Sequence, residues 1–460
     1  MKQLLISALV CLLLASCGEN DGPSKKNQRF PNQTCMEHSS DWMADIDNCE
    51  IRDGKFWQDG KWRFLKIGKP LANYASESGC SLIESYLPKY KELGYDVLEL
   101  NCYWHHFETD GDGVIDKSLE PLKQLVAAIY AAGMFPCLTV ETYSVGGGQM
   151  PKKFFEKYPE AVAINSNGKE VRDEEYGFNT AVVSIFHEAY RENVHKYIEN
   201  LCRGLGDELK HILWFETTVE PQYTGDENNK ICYSENARRQ YALWREANGI
   251  TDPSSEMPET FPMPDDFVKN GTWNKFRAQF LAKWVNEDAQ VFKKVYKEIT
   301  GKEGYVAADF LCASYGVQYL RDGNPQEFLN NLTVPDIIQV NWHWSLTDNA
   351  PNNRAYEYVR NAMAVNGRTD WVIAEHMTFN GNSFSGMSYS KILSNTLEQG
   401  TRFGWEFTNV TPTSTGDTFS LYNLNEETGV WTARFPLSLL EQNWELWLEK
   451  IWAAEVGEEQ

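Results

Sequence analysis

From about residue 60 onward the chain repeats one pattern: a short, mostly apolar run, then a longer amphipathic stretch. The runs are Phe64 to Gly68, Asp96 to Asn101, Phe135 to Glu141, His211 to Thr217, Tyr305 to Asp309, Ile337 to Trp342, Trp371 to Glu375 and Arg402 to Phe407. Between and after them lie helix candidates over Leu82 to Leu93, Leu119 to Ala132, His187 to Leu205, Ser234 to Ala247, Trp273 to Thr300, Asn353 to Asn366, Tyr389 to Gln399 and Leu437 to Trp452. The stretch "SLEPLKQLVAAIYAAGM" has apolar residues three and four apart and closes on Gly133, a helix stop. Short apolar runs alternating with amphipathic stretches predict parallel strands covered by helices. Eight such units fit one α/β domain, a (β/α)8 TIM barrel with long βα loops over residues 59–455. An open doubly wound sheet is the other arrangement, but no Gly-rich phosphate loop follows the first run. The glycines Gly146 to Gly148 follow the third run and read as a loop over the barrel mouth.

The start of the chain bears on location. Lys2 precedes the apolar run Leu4 to Leu14 and then Ala15-Ser16-Cys17, an export signal over residues 1–16. The run is too short for a membrane span, which needs roughly 20 apolar residues. "LASC" resembles the lipobox of bacterial lipoproteins, which implies cleavage before Cys17 and lipidation of its thiol. Residues 17–30 are then a tether, since Gly18 to Gln28 holds no apolar residue to bury, and residues 31–58 an extension packed on the barrel. The expectation is an exported protein, lipid-anchored in the outer membrane, on its surface or its periplasmic face. Export permits disulfides. Cys35 and Cys49 are the local candidates, whereas Cys102, Cys137, Cys202 and Cys312 sit in or beside apolar runs and read as buried thiols. No CxxC pair occurs among them, so no zinc site is expected.

A formal net charge of -22 argues against nucleic acid as a partner and against an anionic lipid surface as a ligand. Aromatic residues make up 13% of the chain, with 16 Trp, which hints at sugar stacking as well as at a large core. "DGDGVID", Asp110 to Asp116, lacks the further ligands of a calcium loop and reads as a turn that caps the next helix. No cofactor and no metal are expected.

In such a barrel the chemistry lies at the C-terminal ends of the strands. "ILWFETTVEPQY" carries Glu216, Thr218 and Glu220 by alternation, and Glu220 lies beyond the apolar run, at the mouth. Glu375 ends the seventh run in "DWVIAEHMTFNG". Carboxylates ending strands four and seven face each other across a barrel.

Here the chain resembles the clan A glycoside hydrolases, and within them most of all glycoside hydrolase family 42, the β-galactosidase-type barrels, over residues 60 to about 410. The stretches that carry the resemblance are "YWHHFETDGDGVIDKSLEPLKQLVAAIYAAGMFPCLTVE", "GGGQMPKKFFEKYPEAVAINSNGKEV" and, after Glu220, "CYSENARRQYALWREANG". The resemblance implies that Glu220 is the general acid/base and Glu375 the nucleophile of a retaining enzyme, whose two carboxyls stand about 5–5.5 Å apart. It implies that Trp405 on strand eight floors the sugar subsite. Asn101, Trp104, His105, Glu141, Tyr143, Tyr223, Asn341, Trp342, His343 and Trp344 are the other candidate substrate contacts at the mouth. One departure stands out: Val219 occupies the position before the acid/base, where the clan has an asparagine that bonds the sugar 2-hydroxyl. The expected function is therefore retaining hydrolysis of a β-glycosidic bond in a carbohydrate substrate, exo- or endo-acting. A non-catalytic glycan-binding lipoprotein is the rival, and an oligomer such as a trimer is conceivable from the resemblance.

Overall fold

The computed structural model describes residues 41–456 except 144–149, 174–179, 224–230, 254–256, 258–270, 312–322, 342–353, 369–370, 378–393, 395, 415–419 and 435–436. The export signal with Cys17, the tether, Cys35, Cys312, the glycines at 146–148 and the expected sugar contacts Trp342, His343 and Trp344 lie outside the described residues.

In chain order the strands are β1 (Cys49–Arg52), β2 (Lys55–Gln58), β3 (Lys61–Arg63), β4 (Leu65–Lys69), β5 (Val97–Tyr103), β6 (Phe135–Glu141), β7 (Arg172–Asp173), β8 (Thr180–Ala181), β9 (Trp214–Glu216), β10 (Tyr305–Leu311), β11 (Ile337–Asn341), β12 (Val372–Met377), β13 (Gly404–Thr408), β14 (Tyr422–Asn425) and β15 (Val430–Ala433). Strands β4, β5, β6, β9, β10, β11, β12 and β13 pair in that order and close into a parallel barrel, β13 returning to β4. All eight expected apolar runs supply barrel strands. They are short because each is buried on both faces, and a run of that kind ends where the chain must turn into solvent.

Helices Glu77–Glu92, Glu120–Ala131, Glu188–Leu205, Glu235–Ala247, Thr272–Thr300 and Arg354–Asn366 fall within a residue or a few of expectation. Ser76 starts the first by accepting from the amide of Gly79. The expected C-terminal helix is two, Leu437–Gln442 and Trp444–Val456, separated at Asn443.

The alternation within each strand sorts two cores. Leu98, Leu100, Leu138, Val140, Phe215, Val306, Ala308, Ile338, Val340, Trp405 and Phe407 face the helices. Leu65, Ile67, Val97, Phe135, Cys137, Trp214, Ala307, Ile337 and Phe403 fill the barrel itself, joined from below by Trp42, Ile51 and Phe56. The N-terminal extension thus plugs the barrel floor. Its sheet β1-β2-β3 turns twice on Asp-Gly, with φ of 52° and 71° at Asp53-Gly54 and 53° and 72° at Asp59-Gly60. Positive φ at both central residues is what a two-residue hairpin demands. The plug is clamped by a buried ion pair: Arg63 Nε and Nη2 donate to Asp96 Oδ1 at 2.9 and 2.6 Å, with the guanidinium 4.2 Å from the Trp42 ring.

Cys49 carries a free thiol, half-buried and donating to the carbonyl of Ile46, while Cys35, the other local candidate, lies outside the described residues. Cys102, Cys137 and Cys202 are buried free thiols, as expected. The "DGDGVID" turn is held by its own carboxylates: Asp112 accepts from the amide of Val114 and Asp116 from that of Thr109. Among the described residues no cluster of metal-binding side chains occurs.

Candidate active site

Above the apolar floor the same inward positions turn polar. Lys69, at the end of β4, places Nζ 2.8 Å from Glu216 Oε2, 3.6 Å from Glu406 Oε1 and 4.0 Å from Glu99 Oε2. Gln339 Nε2 donates to Glu406 at 3.0 Å and Trp214 Nε1 to Glu99 at 3.2 Å. Burial disfavours a charge on Lys69, yet Glu216, Glu406 and Glu99 together hold its pKa well above the usual lysine value. Burial raises Glu216 well above the carboxylate range despite Lys69, with Glu99 and Glu406 adding to the rise. The Thr139 hydroxyl lies 2.6 Å from Glu216 and 2.9 Å from Glu99. A hydroxyl has one proton to give, so the second contact calls for a proton on a carboxyl, which fits a neutral Glu216.

The next level is the mouth. Glu141, the last residue of β6, accepts from Asn101 Nδ2 at 2.9 Å and is 7% exposed. Burial pushes its carboxyl up to about 8, against the Asn101 bond and the charge of Lys69, and the charges of Glu220 and Asp309 push the same way as burial. Glu141 is therefore largely neutral at pH 7, a hydrogen-bond donor as well as an acceptor.

Glu220 follows β9 by four residues and has φ +49°. A residue that is not glycine in this region carries strain of about 1–3 kcal/mol and persists where its surroundings fix it. Two contacts do so here. Its amide donates to Asp309 Oδ2 on β10 at 2.9 Å, and its Oε2 accepts from Gln222 Nε2 at 3.0 Å. Asp309 and Gln222 are both buried.

Four expected sugar contacts are instead packing residues. The Trp405 indole is fully buried on the helix side of the barrel, edge-on to Phe64, Trp444 and Trp447 and donating to Thr396, so it floors no subsite. The inward residue there is its neighbour Glu406. Trp104 is fully buried, stacked on Tyr197 with centroids 6.0 Å apart. Tyr143 packs edge-on against Trp284, and Tyr223 lies between Phe186 and the Arg277 guanidinium with its hydroxyl donating to the Arg277 carbonyl. His105 is half-buried, its ring 4.3 Å from that of His106 and 5.9 Å from that of Tyr103. Asn341 ends β11.

Glu375 lies in β12, in register with Val340 on one side and Trp405 on the other. Position 376 is in register with Asn341 and Glu406.

The closed parallel barrel is the fold on which the comparisons agree. By fold the chain is similar to the catalytic domain of a β-amylase from Paenibacillus polymyxa, at 13% identity over 85% of this chain and 98% of that one, with a TM-score of 0.60. It is similar to a β-galactosidase from Rahnella sp. R3 at 13% identity, over 85% of this chain and 57% of that one, with a TM-score of 0.60. It is similar also to a family 42 β-galactosidase from G. stearothermophilus at 14% identity, over 84% of this chain and 56% of that one, with a TM-score of 0.56. The chain thus spans little more than half the length of these β-galactosidases. No curated protein matches it. By fold the protein is a (β/α)8 TIM barrel, similar to the barrels of these glycoside hydrolases. The model of glycoside hydrolase family 42, the β-galactosidases, matches residues 81–251. The match includes Glu141 and Glu220 and ends before β10.

Sequence reading missed Lys69, Glu99, Glu216 as a buried partner, Asp309, Gln222, Gln339 and Glu406. A signal for the strand residues was present: "VLELN", "IIQVN" and "GWEFT" set Glu99, Gln339 and Glu406 each between two apolar neighbours in the middle of a strand.

Proposed function

We propose that the protein is a retaining β-glycosidase in which Glu220 is the general acid/base. The observation that carries this is the placement of Glu220 just past β9, at the barrel mouth, with its backbone and its carboxyl each held by a buried side chain. A carboxyl at the barrel mouth is placed to protonate the leaving glycosidic oxygen of a bound sugar. Glu375 is the nucleophile in this reading, on the strength of its position late in the seventh barrel strand and its resemblance to the family. It is the residue to test. The Asn101–Glu141 pair is our choice for the 2-hydroxyl contact that Val219 does not supply.

Intact-mass analysis after incubation with 2-fluoro glycosides of galactose, glucose and mannose tests the reading, because these probes trap a retaining nucleophile. An adduct mapped to Glu375 is the expected result, and the probe that labels names the sugar. An adduct on Glu141 or Asp309 overturns the assignment of the nucleophile. No adduct, with undiminished glycan binding and no turnover, would replace the enzyme by a binding protein.

A further inference from the structure

We propose that Asp309 is the positioning residue of Glu220. This rests on Glu220 being the acid/base and extends it to how that residue is held.

The segment after β9 is fastened to one neighbouring strand at two points. The amide of Thr217 donates to the carbonyl of Ala307 at 3.1 Å, continuing the β9–β10 ladder. Three residues later the amide of Glu220 donates to the side chain of Asp309 at 2.9 Å, two positions further along the same strand. Between these points the chain leaves strand geometry, and Glu220 reaches φ +49° immediately before Pro221. A residue preceding proline is pressed toward extended conformations, so this backbone needs a specific hold. Asp309 supplies it from the inward face of β10, in register with Gln339 and fully buried.

The bonds to Glu220 divide the task. Asp309 fixes where its backbone enters the mouth, and Gln222 fixes how its carboxyl is turned. Neither neutral packing nor the ladder would choose an aspartate here. The neighbouring positions Ala307 and Ala308 are small and apolar, and the charge of Asp309 raises the carboxyls of Glu141 and Glu216. A buried carboxylate among carboxylates is kept for the bond it accepts.

The test compares two aryl glycosides on the full chain, one whose 2,4-dinitrophenolate leaves without a proton and one whose 4-methylumbelliferone needs it. Asp309→Ala is expected to lose about 10²-fold in kcat/KM on the second substrate, the scale of general acid catalysis, and less than about fivefold on the first. Asp309→Asn, which keeps an acceptor, should recover most of the loss. Tm should hold or rise in Asp309→Ala, because a charge is removed from a crowded acidic site. Equal losses on both substrates with a lowered Tm would make Asp309 a merely structural residue and overturn the proposal. If Asp309→Ala does not fold, the shorter acceptor in Asp309→Ser decides by the same ratio. Glu220→Ala is run alongside. Dependence on the leaving group in Glu220→Ala without any in Asp309→Ala rejects the role of Asp309 alone, and its absence from both takes the acid/base reading with it.

Discussion

The floor and the mouth of the barrel are built from the same strands and treat charge in opposite ways. At the floor, Arg63 and Asp96 meet one to one, and apolar residues from the barrel and the N-terminal plug cover the rest. At the mouth, Lys69 stands among Glu99, Glu216 and Glu406, with Glu141, Asp309 and Glu220 above it. A matched buried pair needs no proton from solvent. An acidic cluster around one lysine is stable only if some of its members stay protonated, and groups that hold protons near neutrality are what acid/base chemistry uses. The difference shows that the floor is built for stability, whereas the mouth gives up stability to keep protons available.

Removing the cation at each end gives the largest expected effect. Arg63→Met and Lys69→Met each strand a buried carboxylate and should cost about 3–5 kcal/mol in urea unfolding at pH 7. They should differ in pH response. The Lys69→Met deficit shrinks as the pH falls and carboxyls at the mouth take up protons, and its pH–rate profile moves. Arg63→Met should leave that profile in place, and a shift there would break the contrast.

Glu141 gives the next effect. Its carboxyl is raised to about 8 in the folded chain against 4.5 as the ordinary value. A raised pKa gives stability that is fully present below the unfolded value and is lost as the pH climbs through the folded one. The parent should therefore lose a few kcal/mol between about pH 4.5 and 8, at roughly 1.4 kcal/mol per pH unit. Glu141→Gln should flatten that decline and be the more stable protein at pH 8. A parent curve already flat over this range would show that Glu141 is not the buried neutral acid described.

The smallest effect belongs to the plug. Gly60 has φ +72° in the second Asp-Gly turn, so Gly60→Ala should cost about 1–2 kcal/mol by thermal unfolding with no change in kcat. A change in kcat would tie the floor to the mouth and dissolve the distinction between them.

Much of the barrel could be read in advance. β6 matches its expected run residue for residue, and the other seven strands lie within a few residues of theirs, because a strand buried on both faces is apolar throughout. The hairpins of the expected N-terminal extension were not read although "RDGKFWQDGKW" carries two Asp-Gly signals, since runs of three or four residues fall below what apolar periodicity registers. Helix Pro325–Asn331 was missed too, although Asn324 and Pro325 form a start signal and the Asn324 side chain accepts from the amide of Glu327. At the site, Glu220 stood out as a carboxylate past the end of an apolar run. Trp405 was misjudged because tryptophan in a strand looks the same from either face, and a shift of one residue exchanges the barrel interior for the helix layer.

The sequence alone determined the number and order of the β/α units, and that a glutamate stands past the fourth strand. Those are local properties, written in the spacing of apolar residues along one segment. The tertiary structure alone decided the company each polar residue keeps. Lys69 meets Glu216 across 147 positions of chain, and Asp309 meets Glu220 across 89. No local pattern encodes such a meeting, because it depends on the register in which eight separate strands close and on how much water that closure excludes.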